Sequence, residues 1–198
     1  EDLRQKVREK RIGNTFLFVV DASGSMGARE RMRAVKGAIF YMLQEAYQKR
    51  DRVGMVAFRR QKAELLLPIT RSVDLAQKCL AEMPTGGKTP LADGLSTALV
   101  TLGMLNKKDS ELEPILILVT DGRANAIEEN SGDPVESALK MAEKIRKAKI
   151  TSVVIDTETD FIKLGVAKAV AKAMGATYYS LRSLSQEHIL RIVRNLDV

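Results

Sequence analysis

The chain has 198 residues, 45% of them hydrophobic, and a net charge of +7 from 32 basic and 25 acidic residues. This length and composition predict one globular domain, and no apolar run is long enough to predict a membrane span. The basic residues are spread through predicted helices and aromatic residues make up only 5% of the chain, which argues against nucleic-acid binding. The single cysteine, Cys79, excludes an internal disulfide and favours a reducing, cytoplasmic compartment.

A charged lead-in is predicted over residues 1–13, followed by a domain over residues 14–198 in which strands and helices alternate. The predicted strands are 15–21, 52–58, 63–69, 114–121, 151–156 and 176–181. The predicted helices are 31–49, 73–83, 90–102, 134–147, 163–174 and 185–195. The short link 59–62 favours an antiparallel hairpin. The chain is therefore expected to be an α/β protein with a doubly wound, mostly parallel six-stranded sheet, one antiparallel edge strand and helices on both faces.

Oxygen-bearing side chains follow two buried strands and begin one helix. Asp21, Ser23 and Ser25 alternate in the turn after the first strand, Thr89 precedes a helix, and Asp121 ends the fourth strand. The carboxyl ends of strands in such a sheet form one ligand-binding rim, and hard oxygen donors are those that Mg²⁺ prefers. The sequence therefore predicts a magnesium site with at least one coordination position left open. Mn²⁺ is a possible substitute.

Each of these residues also has a simpler interpretation. Ser23 and Ser25 are suitable helix caps, Asp21 is a common turn residue, and Thr89 is expected to cap the helix that begins at Pro90. Three further residues near strand ends stay open between a role at the rim and a local role: Arg59, Arg123 and Asp156.

No catalytic set emerges from the sequence. His188, the only histidine, lies in the last predicted helix, where capping or exposure to solvent is expected. Gly87-Lys88-Thr89 resembles the end of a phosphate-binding loop, but the first glycine of that motif is absent upstream, so no ATP site is predicted.

The metal-site pattern also carries a resemblance. Residues 14–196 resemble the von Willebrand factor A (vWA) domain, whose metal-ion-dependent adhesion site (MIDAS) consists of Asp-x-Ser-x-Ser and a distant Thr and Asp. The resemblance implies that the metal ligands are Asp21, Ser23, Ser25, Thr89 and Asp121. Several segments are most similar to the C-terminal domain of the D-type subunit of magnesium chelatase, among them Phe18 to Met26, Pro90 to Leu95 and Thr120 to Asn125.

The chelatase resemblance implies a cytoplasmic interaction domain, itself non-catalytic. Its bound Mg²⁺ would take a carboxylate from a partner AAA+ ATPase subunit, in a complex whose catalytic subunit inserts magnesium or cobalt into a tetrapyrrole. Two alternatives stay open, a general vWA scaffold or adhesion domain and a metal-dependent hydrolase. A hydrolase would need a general base near the ion, and the sequence offers none that is convincing.

Overall fold

The computed structural model describes residues 13–24, 26–124, 132–159 and 165–196. The strands are β1 (Thr15–Asp21), β2 (Arg52–Arg59), β3 (Lys62–Thr70), β4 (Pro114–Thr120), β5 (Thr151–Asp156) and β6 (Thr177–Ser180). The helices are α1 (Met26–Lys49), α2 (Val73–Cys79), α3 (Leu91–Lys108), α4 (Pro134–Lys147), α5 (Val166–Met174) and α6 (Gln186–Arg194). No helix within these ranges is long and apolar enough to cross a membrane.

The six strands form one sheet in the order β3-β2-β1-β4-β5-β6. All neighbours are parallel except β2 and β3, which form the antiparallel hairpin at one edge. The predicted fold class is confirmed. From β1 the chain builds outward to β2 and β3, and then returns to place β4 on the other side of β1. Loops that leave β1 and β4 therefore diverge, which opens the crevice where sheets of this type bind ligands.

The central strand β1 is buried on both faces, which explains its continuous apolar sequence. Phe16, Phe18 and Val20 point into a core shared with α1, α2 and α6. Leu17 and Val19 point into a second core shared with α3, α4 and α5. Helices thus cover both faces, and the rim at the strand ends is where polar side chains can gather.

Several helix ends differ from the prediction. Helix α1 begins at Met26 rather than at residue 31. Gly27 lies in its first turn, and because glycine is a poor helix former, the helical pattern is weak there. Helix α2 ends at Cys79, and the proline that follows Met83 disfavours helical backbone at that residue. Residues 1–12 of the predicted lead-in, and residues 160–164 before α5, lie outside the described residues, as does Ser25.

Thr89 is not the cap of α3, and that part of the prediction is wrong. The helix begins at Leu91 with Pro90 in the N-cap position, and no side chain caps it. The Thr89 hydroxyl instead faces Ser23 across the rim. Side chains do cap two other helices, Ser72 at the start of α2 and Asp133 at the start of α4.

Candidate metal centre

Asp21, the last residue of β1, is completely buried and its carboxylate accepts several hydrogen bonds. Oδ1 accepts one from the Ser23 backbone N–H at 3.0 Å and a short one from the Ser23 hydroxyl. Oδ2 accepts one from the Thr120 hydroxyl at 2.9 Å. The backbone can turn sharply after Ser23 because Gly24 adopts a φ of 80°, which other residues rarely do. The carboxylate is therefore held in one orientation at the crevice.

The Thr89 loop is fastened to the loop after β1. Gly86 donates a backbone hydrogen bond to the Ala22 carbonyl at 2.8 Å, and Gly24 donates one to the Gly87 carbonyl at 3.4 Å. These two bonds bring the Thr89 Oγ1 within 2.6 Å of the Ser23 Oγ. The structure thus brings together Asp21, Ser23 and Thr89, which are 68 positions apart at most in the sequence.

Asp121 leaves the end of β4 on the other side of the crevice and is partly exposed. Its Oδ1 accepts a hydrogen bond from the Arg123 backbone N–H at 3.1 Å, and its Oδ2 lies 4.0 Å from the Arg123 Nε. Gly122 permits this turn, since it has a φ of 75° and a side-chain carbon there would lie 2.9 Å from the Ala167 backbone nitrogen. Close packing of Gly122 against α5 therefore fixes the position of the backbone beside Asp121.

Arg31 links the two carboxylates, and sequence reasoning missed it. Its side chain is 4% exposed, with NH2 3.7 Å from Asp21 Oδ1 and NH1 3.6 Å from Asp121 Oδ2. Nε donates to the Asp21 backbone carbonyl at 2.9 Å, and NH2 donates to the Ser23 carbonyl at 3.0 Å. NH1 also lies 3.4 Å from the Thr157 hydroxyl. One guanidinium thus touches the loops after β1, β4 and β5.

A signal for Arg31 was present in the sequence. Ala28, Met32 and Val35 are buried on the inner stripe of α1, and Arg31 falls on the same stripe at helical spacing. An arginine in an apolar stripe is rarely buried without partners. Its position soon after the Asp21 turn could have indicated that the partners are in that turn.

The electrostatics of the centre favour an added cation. Burial raises the pKa of Asp21 from 3.8 to about 6, and Arg31 and the hydrogen bonds from Ser23 only partly oppose that effect. The nearby charge of Asp121 contributes to the same rise. An ionised Asp21 is therefore costly in this environment, and a cation bound beside it would offset that cost.

The donor set fits a hard divalent ion. Two carboxylates and two hydroxyls converge on the crevice from the described residues, and Ser25 lies outside them. The same ranges contain no cluster of three or more His, Cys, Asp or Glu side chains suited to a metal. A site here depends on hydroxyl oxygens, which suits Mg²⁺ or Mn²⁺ and not Zn²⁺. A cavity of about 330 Å³ adjoins the centre and is lined by Ser23 and Asp121 among others, so a ligand can reach it.

The residues left open by the sequence take different roles. The Asp156 Oδ1 accepts from the Glu158 backbone N–H at 2.8 Å and Oδ2 accepts from the Tyr178 hydroxyl at 2.6 Å, so Asp156 organises its own loop. Arg59 lines a separate cavity of about 120 Å³, whereas Arg123 lies beside Asp121.

His188 has a structural role at the start of α6. Its Nδ1 accepts a hydrogen bond from the Ser185 backbone N–H at 3.3 Å, and the Ser185 hydroxyl accepts one from the His188 backbone N–H. This reciprocal cap agrees with the role expected for the residue and leaves it no part in the centre.

The chain is similar to a known domain family and to two bacterial or archaeal proteins. A family model for the von Willebrand factor type A domain matches residues 16–124. An uncharacterized protein of Methanocaldococcus jannaschii is 43% identical over 175 residues, covering 87% of this chain and 99% of that protein. An uncharacterized protein of Mycobacterium tuberculosis is 40% identical over 196 residues, covering 99% of this chain and 30% of that protein.

Relatives named as chelatase subunits and several solved structures are also similar to this chain. The magnesium-chelatase 67 kDa subunit of Heliobacterium mobile is 36% identical over 200 residues, covering 98% of this chain and 30% of that protein. The chain therefore spans about a third of the chelatase subunits that it matches. Among solved structures, BatB of Bacteroides thetaiotaomicron aligns with a TM-score of 0.64 at 22% identity, over 93% of this chain and 97% of that one. A manganese-loaded TRAP protein of Plasmodium vivax aligns with a TM-score of 0.57 at 15% identity, over 92% of this chain and 72% of that one.

Proposed function

This chain belongs to the von Willebrand factor type A domain family, and we propose that it is a metal-ion-dependent protein-interaction domain. In this proposal Mg²⁺, or Mn²⁺ in its place, is bound by Asp21, Ser23, Ser25, Thr89 and Asp121. The bound ion supplies an open coordination position that takes a carboxylate from a partner protein. The domain itself carries no catalytic residues in the proposal.

One observation carries this proposal. The Ser23 and Thr89 hydroxyl oxygens lie 2.6 Å apart, and the Ser23 hydroxyl also contacts the fully buried Asp21 carboxylate. Groups that merely capped helices would point along their own backbones. Here the Thr89 hydroxyl, from a distant loop, instead meets the Ser23 hydroxyl, which itself contacts the Asp21 carboxylate. Such a cluster of oxygen donors at a strand end is suited to bind a hard cation.

The partner is proposed from the chelatase relatives. Relatives named as magnesium-chelatase subunits match nearly the whole chain, which supports a chelatase-associated vWA domain. We propose that the partner is the AAA+ ATPase subunit of a magnesium or cobalt chelatase, and that a catalytic subunit of the same complex inserts the metal into a tetrapyrrole. A cytoplasmic location is part of this proposal, and cell fractionation tests it.

Calorimetric titration with Mg²⁺ tests the site. The wild-type protein is expected to bind one ion, and Asp21→Ala is expected to abolish binding because it removes the central carboxylate. Asp74→Asn removes an exposed carboxylate from α2 and serves as the control, with binding expected to be unchanged. Binding by Asp21→Ala with wild-type affinity, in a variant that circular dichroism shows to be folded, would make the assignment wrong.

A pull-down with the immobilised domain tests the partner. An ATPase subunit identified by mass spectrometry should be retained with Mg²⁺ and released by EDTA, and Asp21→Ala should not retain it. Recovery of the ATPase regardless of Mg²⁺ would show that association does not use the metal. Failure to recover any ring ATPase would favour a scaffold role unrelated to chelatases.

A further inference from the structure

A buried cation lies between the two carboxylates that the proposed function assigns to the metal. The Arg31 guanidinium is 3.7 Å from the Asp21 Oδ1 and 3.6 Å from the Asp121 Oδ2, and its side chain is only 4% exposed. An arginine stays protonated in proteins, so this positive charge is permanent. A bound metal ion would share its ligands with a fixed charge of the same sign.

The net charge of the centre depends on whether Arg31, a divalent cation and a further carboxylate are present. Asp21, Asp121 and Arg31 together carry −1 when both carboxylates are ionised. Among the described residues, the other charged side chains that line the adjoining cavity are two acidic and two basic and cancel in the count: Glu30, Glu158, Arg123 and Arg182. With a divalent cation bound, the centre would carry +1, and one further carboxylate would bring it to zero. Without Arg31, the divalent cation alone would bring it to zero.

We propose that Arg31 makes divalent-cation binding at this centre depend on an anionic ligand. This inference rests on the proposed function and adds to it the charge that the ligand must carry. An uncompensated charge in a largely buried centre is unfavourable, so Arg31 weakens binding of the metal alone. A carboxylate removes the excess charge, and a neutral oxygen ligand does not. The centre thereby selects metal and acidic ligand together.

The contacts of Arg31 explain how a cation can be held so close to a cation site. Its Nε and NH2 donate to the backbone carbonyls of Asp21 and Ser23 at 2.9 and 3.0 Å. These bonds satisfy the guanidinium whether or not the carboxylates turn toward a metal. The planar fork of arginine suits this arrangement, whereas a lysine ammonium could not span both carbonyls and both carboxylates in the same way.

Thermodynamic linkage between metal and anion binding can be measured as a change in Kd. If an anion tightens metal binding, the metal must tighten anion binding by the same factor. Couplings of this kind usually change affinity by about 5- to 150-fold. The natural ligand is not needed to measure the effect, because acetate carries the same carboxylate and acetamide is a neutral compound of similar shape.

The first experiment uses the wild-type protein alone. Mg²⁺ is titrated calorimetrically at constant ionic strength in the presence of acetate, acetamide or neither. Acetate is expected to lower the Kd for Mg²⁺ at least about fivefold, and acetamide is expected to leave it within twofold. Equal effects of acetate and acetamide would overturn the proposal whatever any variant does.

The second experiment removes the buried charge. Arg31→Met is expected to bind Mg²⁺ alone at least about tenfold more tightly, because the repulsion is lost, and to lose most of the acetate effect. Arg33→Met removes the same charge from an exposed position on α1 and is the matched control, expected to bind as the wild type. Arg123→Met removes a half-exposed charge near Asp121 and should have a smaller effect, because solvent screens it.

The outcomes separate this inference from the proposed function. If folded Arg31→Met binds Mg²⁺ more weakly, or keeps the full acetate effect, Arg31 only positions the loop and the proposal is overturned. If Arg31→Met does not fold, Arg31→Gln repeats the test with a neutral side chain that can still donate to a backbone carbonyl. If Asp21→Asn binds Mg²⁺ as the wild type does, the metal assignment itself fails, independently of Arg31.

Discussion

The substitution Asp21→Asn tests the electrostatic account of the centre most directly. The Asp21 carboxylate is completely buried, and burial is the main reason that its pKa is raised from 3.8 to about 6. Asparagine has nearly the same shape but carries no charge. The variant should therefore lose the metal site and, in the absence of metal, also lose the cost of burying a charge.

The magnitude and its sign follow from the pKa. The folded protein binds this proton more tightly than the unfolded chain does, so the contribution of Asp21 to metal-free stability improves as pH falls through 6 toward 3.8. At neutral pH the ionised carboxylate costs roughly 3 kcal/mol, at about 1.4 kcal/mol per pKa unit. The advantage of Asp21→Asn over wild type should therefore be largest above pH 7 and shrink by roughly half by pH 5.

A second effect of Asp21→Asn is independent of pH. Both carboxylate oxygens accept hydrogen bonds, from Ser23 and from Thr120, and an asparagine amide can replace only one of them as an acceptor. The donor left unpaired costs about 1–3 kcal/mol. Because this cost does not change with pH, the slope of the difference between variant and wild type is the diagnostic quantity.

Urea unfolding in EDTA at several values between pH 5 and 7.5 measures that slope, with Glu113→Gln as the control for loss of an exposed carboxylate. In parallel, Mg²⁺ at about 100 times its Kd should stabilise the wild type by about 2.7 kcal/mol and leave Asp21→Asn unchanged. A difference between variant and wild type that is the same at pH 5 and pH 7.5 would refute the argument from burial.

Three further outcomes are expected. Gly94→Ala should destabilise the fold by about 1–3 kcal/mol in urea unfolding, because the added carbon would lie 2.5 Å from the Phe58 ring. Gly103 is on the same helix, and a carbon added there would meet no atom within 4 Å. Gly103→Ala should therefore stabilise the fold by about 0.5–1 kcal/mol. Ser185→Ala should lower the free energy of unfolding by about 1 kcal/mol, because it removes the cap of α6. Thr89→Val should weaken Mg²⁺ binding in calorimetry without changing the thermal melting temperature in EDTA by more than a few degrees, and Thr89→Ser should restore binding.

The alternation of strands and helices could be predicted because each element carries its own periodic signal. The buried strands β1 and β4 are continuous apolar runs, and the polar link at 59–62 identified the hairpin. Helix ends were harder, because they depend on single residues: Gly27 weakened the pattern at the start of α1, and α2 ends well before Pro84. The doubly wound arrangement followed from the rules for α/β sheets, whereas the order of the strands was not predicted, because no local sequence signal determines it.

The cluster of oxygen donors at the rim was predicted in composition but not in its connections. Alternation of Asp21 and Ser23 after a buried strand indicated a cluster of oxygen donors, and the structure brings Thr89 to the same cluster. The sequence could not show that two backbone bonds between glycine-rich loops hold Thr89 there. For that reason Thr89 was predicted both as a metal ligand and as a helix cap. Long-range contacts between loops leave no periodic trace in a sequence.

Arg31 shows why the missing part concerns electrostatics. Donor types at strand ends predict which ion fits a site, but the affinity depends on every charge near it, including those contributed by neighbouring helices. The guanidinium of α1 contacts loops after three different strands, so its effect becomes visible only when the sheet order is known. Two sites with the same oxygen ligands would then differ in metal affinity and in the ligand that they require, according to whether a buried arginine stands beside them. The proposed metal ligands and the proposed role of Arg31 therefore rest on different kinds of evidence: residue types at strand ends for the ligands, and three-dimensional contacts for Arg31.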